Sequence, residues 1–148
     1  EKTDVFDVIV SKQRPTITER WVVVLGRGGV AELEGKVDTV LADVSFISLT
    51  RVLAHAKKDI AGRGTDYLVM LKPQFEAYPD QLVKGVVKNE KMRREIIKRF
   101  EMWLGKNGFV IVNKRDNDTG GKGGGNQERF YWLKNGGFGT KNERKSLH

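Results

Sequence analysis

Three charged residues stand where open α/β sheets do their chemistry. Asp43 follows the apolar run at 37–42 and opens DVSFISL (43–49). Lys72 ends the apolar run YLVML (67–71), inside LKPQFE (71–76). Glu128, inside GNQERF (125–130), precedes the aromatic run RFYWL (129–133). Such sheets hold ligands outside the carboxyl ends of their strands. The pattern predicts that Asp43, Lys72 and Glu128 converge on one point, although they are distant in sequence. A lysine fixed by two carboxylates can orient a poor nucleophile and stabilise the charge that grows on it. Each residue also has a structural alternative. Asp43 can cap the following helix, Lys72 can snorkel at a strand end, and Glu128 can be an ordinary edge-strand charge.

The convergence depends on the elements that carry these residues. Residues 5–10 read as a short buried strand, and 21–25 (WVVVL) as a second, β-branched and bounded by glycine. A Gly-rich connection leads to the strand at 37–42. Leu49, Leu53, Ala56 and Ile60 then recur at helical spacing beside Val52, with Ser45 as the expected N-cap. Residues 62–65 end that helix, 67–71 form a strand, and 73–85 form a loop with two prolines. Asn89 or Glu90 opens a strong helix. Met92, Ile96, Ile97, Phe100, Trp103 and Leu104 form its stripe, with Arg93, Arg94, Lys98 and Arg99 mostly off it. Residues 109–113 and 129–133 are the last strands, joined by a polar, glycine-rich loop. One domain over 1–134 and a flexible basic tail over 135–148 are expected. Strands alternating with helices predict an α/β fold with a mostly parallel sheet, and the helix-free final pair predicts a C-terminal antiparallel hairpin.

Composition narrows the chemistry. The 148 residues suffice for one core, and 39% hydrophobic with 31% charged residues describes a globular domain. Without cysteine there is no disulfide or thiolate metal site, and with two histidines no His-built metal site is expected. No apolar run reaches the length of a membrane span, no leader pattern opens the sequence, and a cytoplasmic protein is expected. The net charge of +8 favours a polyanionic partner such as RNA.

Taken together, DVSFISL, LKPQFE, KGVVKN (84–89) and GNQERF resemble the hemolysin-named TlyA family of FtsJ-like S-adenosylmethionine-dependent RNA 2′-O-methyltransferases. The resemblance is strong over 37–133 and weaker over 5–25. It implies a Rossmann-like methyltransferase sheet truncated at its N-terminal side. It also implies S-adenosylmethionine as cofactor, and RNA, in particular rRNA, as substrate. Motif by motif it places catalytic roles on Asp43, Lys72 and Glu128. Cofactor contacts fall on Asp7, Asp43, Val44, Ser45 and Phe46, and no metal is required. Lys84, Lys88, Lys114, Arg115 and Lys122 flank this site as phosphate contacts. The family's S4-type RNA-binding domain, first lysine and glycine-rich cofactor motif have no counterpart here. The resemblance is therefore to the C-terminal part, and a further chain or segment is expected to carry the rest. Methyl transfer by this chain alone is open for the same reason.

Two other readings stand beside it. A non-catalytic RNA-binding module accounts for the charge and the missing glycine motif. GRGGVA (26–31) matches a dinucleotide pattern, but the dozen residues before the next strand leave no room for the crossover helix that the motif needs.

Overall fold

Continuous apolar runs become strands and the helical stripes become helices. The computed structural model describes residues 7–11, 21–25, 37–118 and 126–136, the first two segments by their backbone alone. In chain order come β1 (Asp7–Ser11), β2 (Trp21–Leu25), β3 (Val37–Ala42), α1 (Leu49–Asp59), β4 (Ala61–Leu71) and α2 (Pro73–Glu76). A 3-10 turn (Pro79–Gln81), the two-residue strands β5 (Leu82–Val83) and β6 (Val86–Val87), α3 (Glu90–Lys106), β7 (Phe109–Asp116) and β8 (Arg129–Asn135) follow.

The large sheet has the order β2-β1-β3-β4-β8-β7. Its α/β class and C-terminal hairpin are as expected, and the sheet is mixed. Among the described strands only β3 and β4, joined through α1, pair in parallel. The pairs β1–β2, β1–β3, β4–β8 and β7–β8 are antiparallel. Four strands thus share one direction, while β1 and β8 oppose it. The expected parallel majority holds for direction and not for pairing. Residues 12–20, between β1 and β2, are too few for the crossover a parallel neighbour requires.

Both long helices pack on one face of the sheet. Leu49, Val52, Leu53 and Ala56 of α1 and Ile97, Phe100 and Leu104 of α3 meet Val40, Tyr67, Val69, Leu71, Tyr131 and Leu133 in a single core. On α3 the Asn89 side chain accepts from the Met92 N–H, the expected cap. Gly108, at φ 76°, follows the last turn in the left-handed conformation that ends helices.

Several boundaries differ from those expected. The N-cap of α1 is Ser48, not Ser45; its hydroxyl accepts from the Thr50 N–H. β4 begins at Ala61, because Thr65 is buried and its hydroxyl donates to the Val37 carbonyl at 2.5 Å, tying 61–66 to β3. The expected loop at 73–85 is structured. It holds α2, the 3-10 turn and the β5–β6 hairpin, whose turn residues Lys84 (φ 48°) and Gly85 (φ 78°) both take positive φ. β8 runs on to Asn135, whose side chain accepts from the Tyr67 hydroxyl and donates to the Gly62 carbonyl. The tail beyond Gly136 and the GRGGVA segment lie outside the described residues.

Candidate active site at the sheet rim

The turn after β3 and the end of β4 form the site. Lys72 Nζ lies 2.7 Å from Asp43 Oδ1 and donates to Ser45 Oγ at 3.2 Å. The register explains the meeting. Ala42 pairs with Val69 across the parallel ladder, so the residues that follow the two strands run on side by side. Lys72 is largely enclosed, with 16% of its side chain accessible, and Asp43 is open at 64%. Neither structural alternative fits them. Asp43 does not cap α1, and Lys72 is held in an ion pair instead of trailing into solvent.

Glu128 reaches the same rim by a different route. Arg129 pairs with Leu71 across β4–β8, and Glu128 and Lys72 each sit one residue beyond that pair. No ion pair joins them among the described residues. Glu128 Oε2 instead accepts from Asn117 Nδ2 at 3.1 Å, and its carbonyl accepts from the Asn117 N–H at 2.9 Å. Asp7 also lies at this rim by its backbone. β1 runs antiparallel to β3 and pairs Val8 with Ala42, which leaves Asp7 level with Asp43.

Beside the Asp43–Lys72 pair, Val44 is buried and Phe46 is 84% exposed. Phe46 takes φ 62°, a left-handed conformation that costs a bulky residue of order 1–3 kcal/mol. Its ring sits 5.0 Å from that of Phe75, the partner supplied by LKPQFE. Two residues past Lys72, Gln74 Oε1 is buried and has no hydrogen-bond partner among the described residues.

Sequence reasoning missed the supports of this site. Glu76 caps α1 from outside the helix. Its carboxylate accepts from the Leu49 N–H at 2.6 Å and from the Ser48 hydroxyl at 2.7 Å. Burial raises its pKa, against the pull of those two bonds and of Arg99. Arg99 of α3 donates to the Glu76 carbonyl and lies 4.1 Å over the Tyr78 ring, locking the turn that carries Lys72. Arg93, expected off the apolar stripe, is buried. It donates to Asp116 Oδ1 at 2.7 Å and to the Gln127 carbonyl at 3.2 Å. Asp116 also accepts from Arg129, which holds its carboxyl down at about 2 with help from Arg93. This cluster fixes the chain on both sides of Glu128. The signal was present, since position 93 stands three and four residues before Ile96 and Ile97 on the same stripe.

The basic residues divide. Lys84 and Lys88 are exposed on and beside the β5–β6 hairpin. Asn126 ties that hairpin to the rim, accepting from the Val87 N–H at 2.9 Å and donating to the Gly85 carbonyl at 3.0 Å. Lys114 is engaged by Glu101 at 2.9 Å and Arg115 by Asp118 at 2.9 Å. Lys122 lies outside the described residues.

The α/β sheet with its C-terminal antiparallel hairpin is of the FtsJ-like methyltransferase class. The chain belongs to the FtsJ-like methyltransferase family, whose model matches residues 1–135. It is 36% identical over 101 residues to the 16S/23S rRNA (cytidine-2′-O)-methyltransferase TlyA of Mycobacterium tuberculosis, covering 68% of this chain and 37% of that protein. The Campylobacter jejuni 23S rRNA (cytidine-2′-O)-methyltransferase TlyA is 32% identical over 108 residues, covering 69% and 40%. A hemolysin-named protein of Streptococcus thermophilus superposes with a TM-score of 0.64 at 29% identity, over 73% of this chain and 38% of that one. The chain thus spans about two fifths of the length of the curated relatives it matches. No helix among the described residues is long and apolar enough to cross a membrane.

Proposed function

We propose that this chain carries the acceptor side of an RNA ribose 2′-O-methyltransfer site. The observation that carries the reading is the 2.7 Å contact of Lys72 with Asp43, at the strand rim of an FtsJ-like fold. A ribose hydroxyl is a weak nucleophile and has to be aimed. Among the described residues two of the three Lys72 N–H donors are used, by Asp43 and Ser45. The third is the one a hydroxyl oxygen would accept from, and the adjacent positive charge would stabilise that oxygen as it bonds the methyl carbon and its proton passes to water. Asp43 holds the ammonium in place. Glu128, fixed by Asn117, keeps a second carboxylate within the same rim. Such positioning lowers a barrier by roughly 7–11 kcal/mol in favourable cases.

The rim residues suit S-adenosylmethionine. The exposed Phe46 ring offers a face to a planar base, Asp43 offers a carboxylate to hydroxyl or amine donors, and the orphaned Gln74 acceptor calls for a donor. Asp7, level with Asp43, and Val44 and Ser45 complete that set. When bound, S-adenosylmethionine supplies the electrophilic methyl group. Lys84 and Lys88 are the phosphate contacts this reading favours, because Lys114 and Arg115 already have acid partners.

The test is methyl incorporation into rRNA together with calorimetry against S-adenosylmethionine. Lys72→Ala is expected to lose at least 100-fold in rate and to keep RNA affinity. Wild-type protein that binds salt-sensitively to RNA yet neither binds S-adenosylmethionine nor transfers methyl would reject the first reading for this chain and favour the second, a non-catalytic RNA-binding module. That reading is favoured by residues 8–11, where Val, Ile, Val and Ser stand in place of glycines.

A further inference from the structure

Six residues past Lys72 the fold sets an aromatic ring in the open. Tyr78 is 57% exposed, and the Arg99 guanidinium lies 4.1 Å over its ring. A single exposed aromatic is ordinary. Tyr78 differs in how firmly it is held. Its N–H donates to Gln81 Oε1 at 2.9 Å, and its carbonyl accepts from the Gln81 N–H at 2.9 Å. Gln81 is buried, and its carbonyl accepts from the Lys88 N–H at 3.0 Å, just past the β5–β6 hairpin. Pro79, with its φ locked, follows as the first residue of the 3-10 turn. Arg99 is held in turn by the Glu76 carbonyl. Ring, hairpin and the turn that carries Lys72 are therefore one framework. A tyrosine has only two side-chain torsions, and one already held loses little entropy on making a contact.

The surroundings select the contact. With Arg99 against one face, the exposure of Tyr78 leaves the opposite face to a second planar group. Between 78 and 88 the cations are Lys84 and Lys88, both exposed, and Asp80 is the one acid. Open rings among solvent-facing cations bind single-stranded nucleic acid, with bases stacked on the ring and phosphates on the cations. An acidic protein segment would satisfy the lysines but has no use for the open ring face. Reach also fits. The chain from Lys72 to Tyr78 spans at most about 20 Å, and α2 shortens it. A strand whose ribose hydroxyl sits at Lys72 passes Tyr78 within a few nucleotides.

We propose that Tyr78, backed by Arg99, is a stacking platform for a base of the RNA strand that flanks the target nucleotide. This rests on the acceptor-site reading given above. Stacking tolerates any base, because every base has a π-face. Tyr78 thus fixes where the strand lies, and leaves the choice of sequence to other contacts.

The test uses the 148-residue chain and a short single-stranded RNA carrying 5-iodouridine. Irradiation is expected to give a crosslinked peptide that contains Tyr78. Tyr78→Leu, which keeps bulk and removes the π-face, is expected to weaken binding at least fivefold. It should leave the slope of log affinity against log salt unchanged, since no phosphate contact is lost. Tyr78→Phe and Tyr78→Trp should bind within about twofold of wild type, because each retains a ring. Circular dichroism of every variant separates lost stacking from lost folding. Full affinity in a folded Tyr78→Leu, or a crosslink map without Tyr78, would overturn the proposal and leave the acceptor-site reading standing. Equal losses in Tyr78→Phe and Tyr78→Leu would assign the effect to the hydroxyl and overturn it as well. A wild-type chain with no affinity for the RNA would overturn both.

Discussion

Phe46 concentrates the tension between stability and use at the rim. Its φ of 62° suits glycine, and yet an aromatic side chain stands there, 84% exposed and set against Phe75. The strain is unrewarded by burial, which fits the contact role proposed above for the ring. Phe46→Gly should therefore be more stable than Phe46→Ala by about 1 kcal/mol in urea titration, because only alanine keeps the unfavourable conformation. Both variants should lose affinity for S-adenosylmethionine or RNA. If Phe46→Ala retains full affinity and activity, the ring has no role in binding. Lys72 and Asp43 present the complementary case, with their geometry fixed by an ion pair across adjacent strand ends.

Between elements, two partly buried acids hold the pieces together and respond to pH in opposite senses. Asp116 joins α3 to β7 and β8 through Arg93 and Arg129. Its carboxyl titrates at about 2 in the fold and near 3.8 when unfolded. Its stabilisation is complete above 3.8 and is lost as pH falls toward about 2. Glu76 behaves in reverse. Burial lifts its folded pKa above the ordinary 4.5, so its contribution is full below that value and declines as pH rises through the lifted one. Denaturant unfolding from pH 2 to 8 should show both limbs. Asp116→Asn should flatten the acid limb, and Glu76→Gln the decline above 4.5. Asp116→Ala, which leaves Arg93 only its bonds to Gln127 and Glu90, should cost about 1–2 kcal/mol. Glu76→Ala, which orphans the Leu49 N–H, should cost about 1–2 kcal/mol. Unchanged pH profiles in the Asn and Gln variants would refute these assignments.

At the scale of the whole molecule, the net charge of +8 favours polyanion binding that weakens steeply with salt. The exposed hairpin localises part of that effect. Lys84 takes φ 48° in a two-residue turn whose first position favours asparagine. Lys84→Asn should stabilise the hairpin slightly, and should lower the slope of log affinity for rRNA against log salt by about 1. An unchanged slope would remove Lys84 from the phosphate contacts. Hydrogen exchange at Val86 and Val87 would report the change in the turn.

Much of the architecture was legible because hydrophobic period is a local property. The strand WVVVL, the strand 37–42, the Asn89-capped helix and the C-terminal hairpin needed only neighbouring residues to be recognised. Local sequence also placed Asp43, Lys72 and Glu128 at strand ends. Pairing is not local. Whether β1 runs with β3 or against it, and whether Glu128 turns to Lys72 or to Asn117, depends on which strands become neighbours and in what register. The same is true of Arg93 and Glu76, polar residues whose burial is repaid by partners distant in the chain. Sequence by itself set the family motifs, the charge and the apolar runs, since side-chain chemistry and short-range spacing suffice for those. Tertiary structure alone decided which charges meet, and which face of the sheet the two long helices cover, because only packing brings remote residues within a few ångströms.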